Sequence, residues 1–185
     1  MPYFRFVLKR SLIIFTIFSS FYFTASYLHA QTLDETDTRA LMEANFLFQF
    51  ANHNQWPSEM KKGRFTIYVV SNQNVFELFQ NKYGTQTIGL QPIDVQLIQD
   101  INQISGIPHL IFIDKSKKNE CSMAQKKFKN KSTLIVTNFD GALKSGAHIN
   151  FKNINGSIRY EVNELAMNDE KIQAGVKILQ WKIND

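Results

Sequence analysis

The sequence predicts a single-domain α/β sandwich with a mixed, largely parallel sheet, helices on both faces and a late antiparallel hairpin. Three observations predict it. Short apolar runs rich in β-branched residues, at 65–70, 110–113 and 133–137, alternate with stretches of helical spacing, which is the pattern of a largely parallel sheet. Asn155-Gly156 lies between two alternating segments and marks a two-residue hairpin turn. No repeat, Pro-rich stretch or long polar linker interrupts residues 31–185, so we expect one domain there, with about 155 residues to build its core.

The first element is an address. Residues 1–30 carry Arg5, Lys9 and Arg10, an apolar run from Leu12 to about Phe23, and small or polar residues up to Ala30. That is the three-part pattern of a secretory signal peptide. The apolar run is roughly a dozen residues, short of the ~20 that a membrane span needs. Cleavage is therefore expected, after Ala30 or after Ser26, and the working protein is expected in the periplasm with no membrane insertion of its own.

Residues 34–55 read as a helix capped by Asp34 or Thr36, with Asp37 in its positive first turn. Its apolar positions cover more than half of the circumference and leave a narrow polar strip of Asn45, Gln49 and Asn52. Two explanations stay open: burial between elements of the same domain, or a dimer or partner interface using Met42, Phe46, Phe50 and Trp56. Trp56-Pro57 ends the helix. A strand follows at Phe65–Val70, then a short helix begun by Ser71-Asn72 and closed by Lys82-Tyr83-Gly84. Thr87 to Leu97 reads as extended and broken at Pro92, and Asp100 to Ser105 as a short helix or loop. Leu110–Ile113 is a buried strand ending in Asp114. Asn119 to Asn130 is a Lys-rich amphipathic helix with Met123 and Phe128 inward. Thr133–Thr137 is a strand, and Asn138–Gly141 a turn. The hairpin pairs His148–Phe151 with Ser157–Val162. A short helix at 163–169, started by Asn163, precedes a last one over Gln173–Lys182 with Val176, Ile178 and Leu179 inward and Trp181 as an anchor.

The charge excludes some partners. The full chain carries a formal net charge of +5, but three of its cations fall in residues 1–30, which hold no acid. Residues 31–185 have 18 Lys and Arg against 16 Asp and Glu, so a nucleic-acid ligand is not expected. The lysines at 115, 117, 118, 126, 127, 129 and 131 form a local excess, read either as a solvated face or as a patch for anionic lipid head groups or an acidic partner. The single cysteine, Cys121, cannot form an intramolecular disulfide; we read it as a helix residue without chemistry, or else as an intermolecular or redox-responsive thiol.

Catalytic patterns are missing. His53, His109 and His148 are dispersed, Cys121 has no flanking signature, and there is no Gly-x-Ser-x-Gly elbow. No short-range pair of ligands suggests a metal, and His109 and His148 read as satisfied structural residues. Val70-Ser71-Asn72-Gln73-Asn74 stands where a dinucleotide-binding loop would, but without glycine its backbone could not approach a pyrophosphate. Asn130-Lys-Ser132 and Asn155-Gly-Ser157 are formal glycosylation acceptors and carry no further argument. No cofactor is expected.

The run Ala44-Asn-Phe-Leu-Phe-Gln-Phe-Ala-Asn-His-Asn-Gln-Trp-Pro57 resembles the opening helix of the YfiR-like family of exported bacterial proteins, which typically shows Phe-Leu/Ile-Tyr-x-Phe-Ala closing in Trp-Pro. The later order agrees: Phe65–Val70, His109-Leu-Ile-Phe-Ile113, Thr133–Thr137 leading into Phe139-Asp-Gly141, Gly146–Phe151, Ile158–Asn163 and a helix after Lys171-Ile172. The resemblance covers about residues 38 to 182. It implies a non-enzymatic regulator. The best-understood member is a periplasmic repressor that binds and holds inactive an inner-membrane diguanylate cyclase, and so acts on cyclic di-GMP signalling and biofilm behaviour. Envelope stress or redox change releases it. That member uses paired cysteines, so its intramolecular redox sensing does not carry over to a chain with Cys121 alone. Glu43 stands where many members have Lys, and His53 where they often have Phe.

Two functions follow as expectations. The first is a regulator that restrains an inner-membrane signalling protein such as a diguanylate cyclase or sensor kinase, working as a homodimer. The second is a small-ligand binding module, with a crevice at the strand ends near Ser71, Asp114, Asn138 and Asp140. An enzyme of unrecognised type is the remaining alternative.

Overall fold

A computed structural model of the chain describes residues 37–183, and Arg39–Asp185 forms one compact unit. The leader read at 1–30 and the helix start read at 34–36 lie outside the described residues.

Seven strands form one sheet: β1 Phe65–Val70, β2 Thr87–Ile88, β3 Gln91–Ile98, β4 Leu110–Ile113, β5 Leu134–Thr137, β6 Ile149–Ile154 and β7 Ser157–Val162. They lie in the order β2-β3-β1-β4-β5-β6-β7. The inner five run parallel, while β2 and β7 fold back antiparallel at the two edges. The expected mixed, largely parallel sheet with a late hairpin is therefore present. From β1 the chain winds outward to β3, then returns past β1 to β4 and continues to β6. This reversal creates a switch point between the carboxyl ends of β1 and β4, where doubly wound sheets open a crevice.

Alternation along the strands divides the core in two. Phe65, Ile67 and Val69 of β1 point to one face with Leu110, Phe112, Leu134, Val136, Ile149 and Phe151. Helix α1 (residues 37–53), α2 (Gln73–Tyr83), α4 (Glu164–Asp169) and α5 (Val176–Trp181) supply buried residues to that face. Tyr68, Val70, Ile111, Ile113 and Ile135 point the other way, onto α3 (Glu120–Lys127) and a 3-10 turn at Ile101–Gln103. Both faces of the sheet are thus covered, as a parallel sheet requires.

Local chemistry sets the element ends. The side-chain oxygens of Asn72 and Asn163 accept the N–H of Val75 and Ala166, each at 3.0 Å, and cap α2 and α4. Asn155 and Gly156 both take positive φ, 50° and 79°, as the tight hairpin between β6 and β7 demands. His109 accepts the N–H of Thr66 at its Nδ1 (3.1 Å) and donates from Nε2 to the Met60 carbonyl (2.7 Å), so it is a neutral structural clasp. His148 accepts the Ile135 N–H at 2.9 Å, and burial pushes its pKa down to about 4.

Three readings are corrected. The break in residues 87–97 falls at Gly89-Leu90, where Gly89 has φ of 58°, and Pro92 lies inside β3 near its start, where a missing N–H is tolerated. Met123 faces outward, 42% exposed, because Cys121, Ala124 and Phe128 form the inward stripe of α3. Val176 and Trp181 are also outward, at 72% and 61%, leaving Ile178 to bury α5. Cys121, left open between an inert helix residue and a responsive thiol, is fully buried on α3, and desolvation raises its pKa to about 11.

Candidate functional site

The switch point holds a buried polar cluster. Asp114 follows β4, Asn138 follows β5, Asn72 follows β1, and Glu43 comes down from α1. Asn138 Nδ2 donates to Asp114 Oδ2 (3.1 Å) and to Glu43 Oε1 and Oε2 (3.2 and 3.4 Å). Asn72 Nδ2 donates to the same Asp114 oxygen at 2.9 Å. Backbone donors complete the set: Ser116 N–H to Asp114 Oδ1 (2.9 Å) and Lys115 N–H to Asn138 Oδ1 (2.6 Å). Arg39, one turn before Glu43, places its Nε 3.0 Å from Glu43 Oε1. The cluster joins helix α1 to the carboxyl ends of three parallel strands.

The two carboxyls are tuned in opposite directions. Glu43 is 1% exposed, and desolvation raises its pKa; the Asn138 amide and the Arg39 guanidinium oppose that rise, while the Asp114 charge adds to it. Burial alone would raise Asp114 as well. Donated hydrogen bonds from Ser116, Asn138 and Asn72 outweigh it, and its net shift is downward. Divergent carboxyls of this kind are the raw material of acid–base catalysis. Here their donors come from the chain itself, and the Glu43 and Asn138 side chains are buried against each other.

Because its folded pKa is raised, Glu43 gives stability that is present below its unfolded value and lost as pH rises through the folded value. Glu43→Gln keeps an oxygen for Arg39 and Asn138 without the buried charge. Its melting temperature is expected to rise relative to the parent as pH increases above the ordinary glutamate range, and to converge with it in acid. A parent and variant that stay parallel across that pH range would show that the charge is not penalised.

The site residues predicted from sequence separate. Asp114 and Asn138 meet in the cluster. Ser71, with φ of 60°, instead shares a hydrogen bond with Gln99 at 3.1 Å, and Asp140 lies at the surface paired with Lys152 at 2.8 Å. Glu43, Arg39 and Asn72 complete the cluster and were not predicted as members. A neighbouring chain runs along the other sheet face: Thr137 Oγ1 donates to Asn150 Oδ1 (2.8 Å), and Asn150 Nδ2 to Glu161 Oε1 (2.8 Å).

Helix α1 also sorts its apolar residues. Phe50 is fully buried against Phe151 and Tyr160, with ring centres 5.7 and 4.9 Å away. Trp56 is 6% exposed and donates from Nε1 to the Ser132 carbonyl at 3.1 Å. Phe46 is half-buried on Tyr160, and Phe48 stacks on Tyr83 of α2 at 4.1 Å. Leu41 and Met42 remain outward, 38% and 37% exposed, beside the polar cluster. Of the four expected interface residues, Phe50 and Trp56 are spent inside the protomer, because α1 lies in the angle between α2 and the hairpin.

Among the described residues no group of His, Cys, Asp and Glu could hold a metal, and no helix is long and apolar enough to cross a membrane. The doubly wound sheet with its clamped α1 defines an α/β domain. The chain belongs to the family described as YfiR/HmsC-like, whose model matches residues 40–181, and that family is one of periplasmic signalling regulators. No curated protein matches the chain.

Proposed function

We propose that this chain is a periplasmic, non-enzymatic regulator that binds and restrains an inner-membrane signalling protein, such as a diguanylate cyclase or a sensor kinase, through the outer face of α1. Membership of the YfiR/HmsC-like family supports the class. The observation that carries the surface is the exposure of Leu41 and Met42 on a helix otherwise held on both flanks and clamped through Glu43 to Asn138. Half-buried Phe46 borders the same surface, and a homodimer would use it too. A rigid helix with an apolar outer edge loses little entropy on docking, which favours affinity. The ligand-module alternative has less support, since the side chains at the strand ends already satisfy one another.

Met42→Asp is expected to keep the fold, because the side chain is outward, and to lower capture of the membrane partner by more than about tenfold, as truncating a central apolar anchor does. Pull-down from solubilised membranes, with thermal melting as the control, reads both. Undiminished recovery of the same cyclase or kinase by the variant would remove α1 from the contact.

A further inference from the structure

The face opposite α1 carries a separate signal. Residues 115–131 hold seven lysines and no arginine against one acid, Glu120. The remainder of residues 31–185 then carries 11 cations against 15 acids, so the domain is strongly polarised. Lys115, Lys118, Lys126, Lys129 and Lys131 are exposed, on a 3-10 turn, on α3 and on the turn that follows. Among the described residues the ion pairs are Arg39–Glu43, Lys152 with Asp140 and Glu161, and Lys182–Glu164, and none draws on this group. Two carboxylates at its edges offset part of this charge and leave the group with a net positive charge: Glu120 accepts the Ile101 N–H at 3.0 Å, and Glu170 accepts the N–H of Asn130 and Lys131 at 2.8 and 2.9 Å. Lys127 is spent on the Ile101 and Ile104 carbonyls at 2.9 and 3.2 Å.

We infer that the outer face of α3 and its flanking turns is a peripheral docking surface for anionic phospholipid head groups. The composition favours lipid over an acidic protein. Protein interfaces enrich Arg and deplete Lys, because the guanidinium forks onto a carboxylate while an ammonium stays hydrated. A diffuse set of flexible ammonium groups instead suits the smeared charge of a lipid surface. Met123, exposed at the middle of α3, adds an apolar contact at the head-group boundary. Docking this way leaves α1, on the other face of the sheet, free for a partner. The inference rests on the periplasmic placement proposed above, because that compartment brings the domain to the inner membrane.

The test uses protein recovered from the periplasmic fraction and sedimentation with vesicles. Binding is expected to vesicles of phosphatidylglycerol and phosphatidylcholine in equal parts, not to phosphatidylcholine alone, and to fall steeply with added salt. Substituting Lys118, Lys126, Lys129 and Lys131 together with Gln is expected to lower partitioning about a hundredfold or more. The same change at Lys61, Lys62, Lys171 and Lys177 removes equal charge from elsewhere and is expected to cost far less. No binding to the anionic vesicles, or equal losses from the two sets, would overturn the inference. Loss of partner capture in the α3 set with no vesicle binding by the parent would also overturn it, in favour of an acidic protein surface. Met42→Asp is expected to leave vesicle binding unchanged, so failure here and failure of the α1 reading are told apart.

Discussion

Replacing Glu170 with alanine is expected to destabilise the fold by about 3–5 kcal/mol, because three backbone donors lose one charged acceptor. The Glu170 carboxylate accepts the N–H of Asn130 (2.8 Å), Lys131 (2.9 Å) and Ser132 (3.0 Å). Asn130 and Ser132 both have positive φ, 60° and 58°, which turns the successive N–H groups inward to form an anion-binding nest. Those conformations are costly for non-glycine residues, and the carboxylate holds them in place. The same segment offers the Ser132 carbonyl to Trp56, so one loop ties the end of α4, the approach to β5 and the segment after α1. Glu170→Gln keeps one acceptor oxygen but turns an amide N–H₂ toward the remaining donors, so an intermediate loss is expected. Chemical denaturation of the three proteins checks this. A loss for Glu170→Ala below about 1 kcal/mol would mean that water replaces the carboxylate without penalty.

How much was legible follows from where the information lies. Strands β1, β4 and β5 were readable because both faces of a parallel strand are buried and the apolar run is continuous. The hairpin was readable from two residues. The clamp was harder. Asp114 and Asn138 stood out as polar residues at strand ends, but their partner Glu43 sits within a helix whose apolar surface drew the attention. Its signal was nevertheless local: Ala40, Glu43, Ala44, Leu47, Phe50 and Ala51 recur at intervals of three and four, so a carboxylate lies on the inward stripe. A charged residue in that stripe requires a buried partner. Asn72 offered no such clue. It reads as a helix cap, and its second role depends on β1 and β4 being neighbours, which only the winding order supplies.

The excess of apolar residues on α1 was a true observation with a divided cause, and Phe50 decides between its halves. Phe50→Ala is expected to cost about 3–5 kcal/mol, as for other fully buried aromatic side chains. Its ring packs on Phe151 and Tyr160 and lies 6.1 Å from Phe46, so truncation opens a cavity that four-residue-spaced neighbours on a rigid helix cannot collapse to fill. Met42→Ala removes an outward side chain and is expected to stay within about 1 kcal/mol of the parent. The contrast governs how the partner surface can be examined. A charge at Phe50 would abolish folding and with it every contact, so loss of binding there says nothing about an interface. Met42 separates the two, because it borders Glu43 in sequence but faces away from the core. If urea unfolding put Phe50→Ala within 1 kcal/mol of Met42→Ala, α1 would be a loosely held arm and not a core helix, and the rigid edge proposed for partner binding would fail with it.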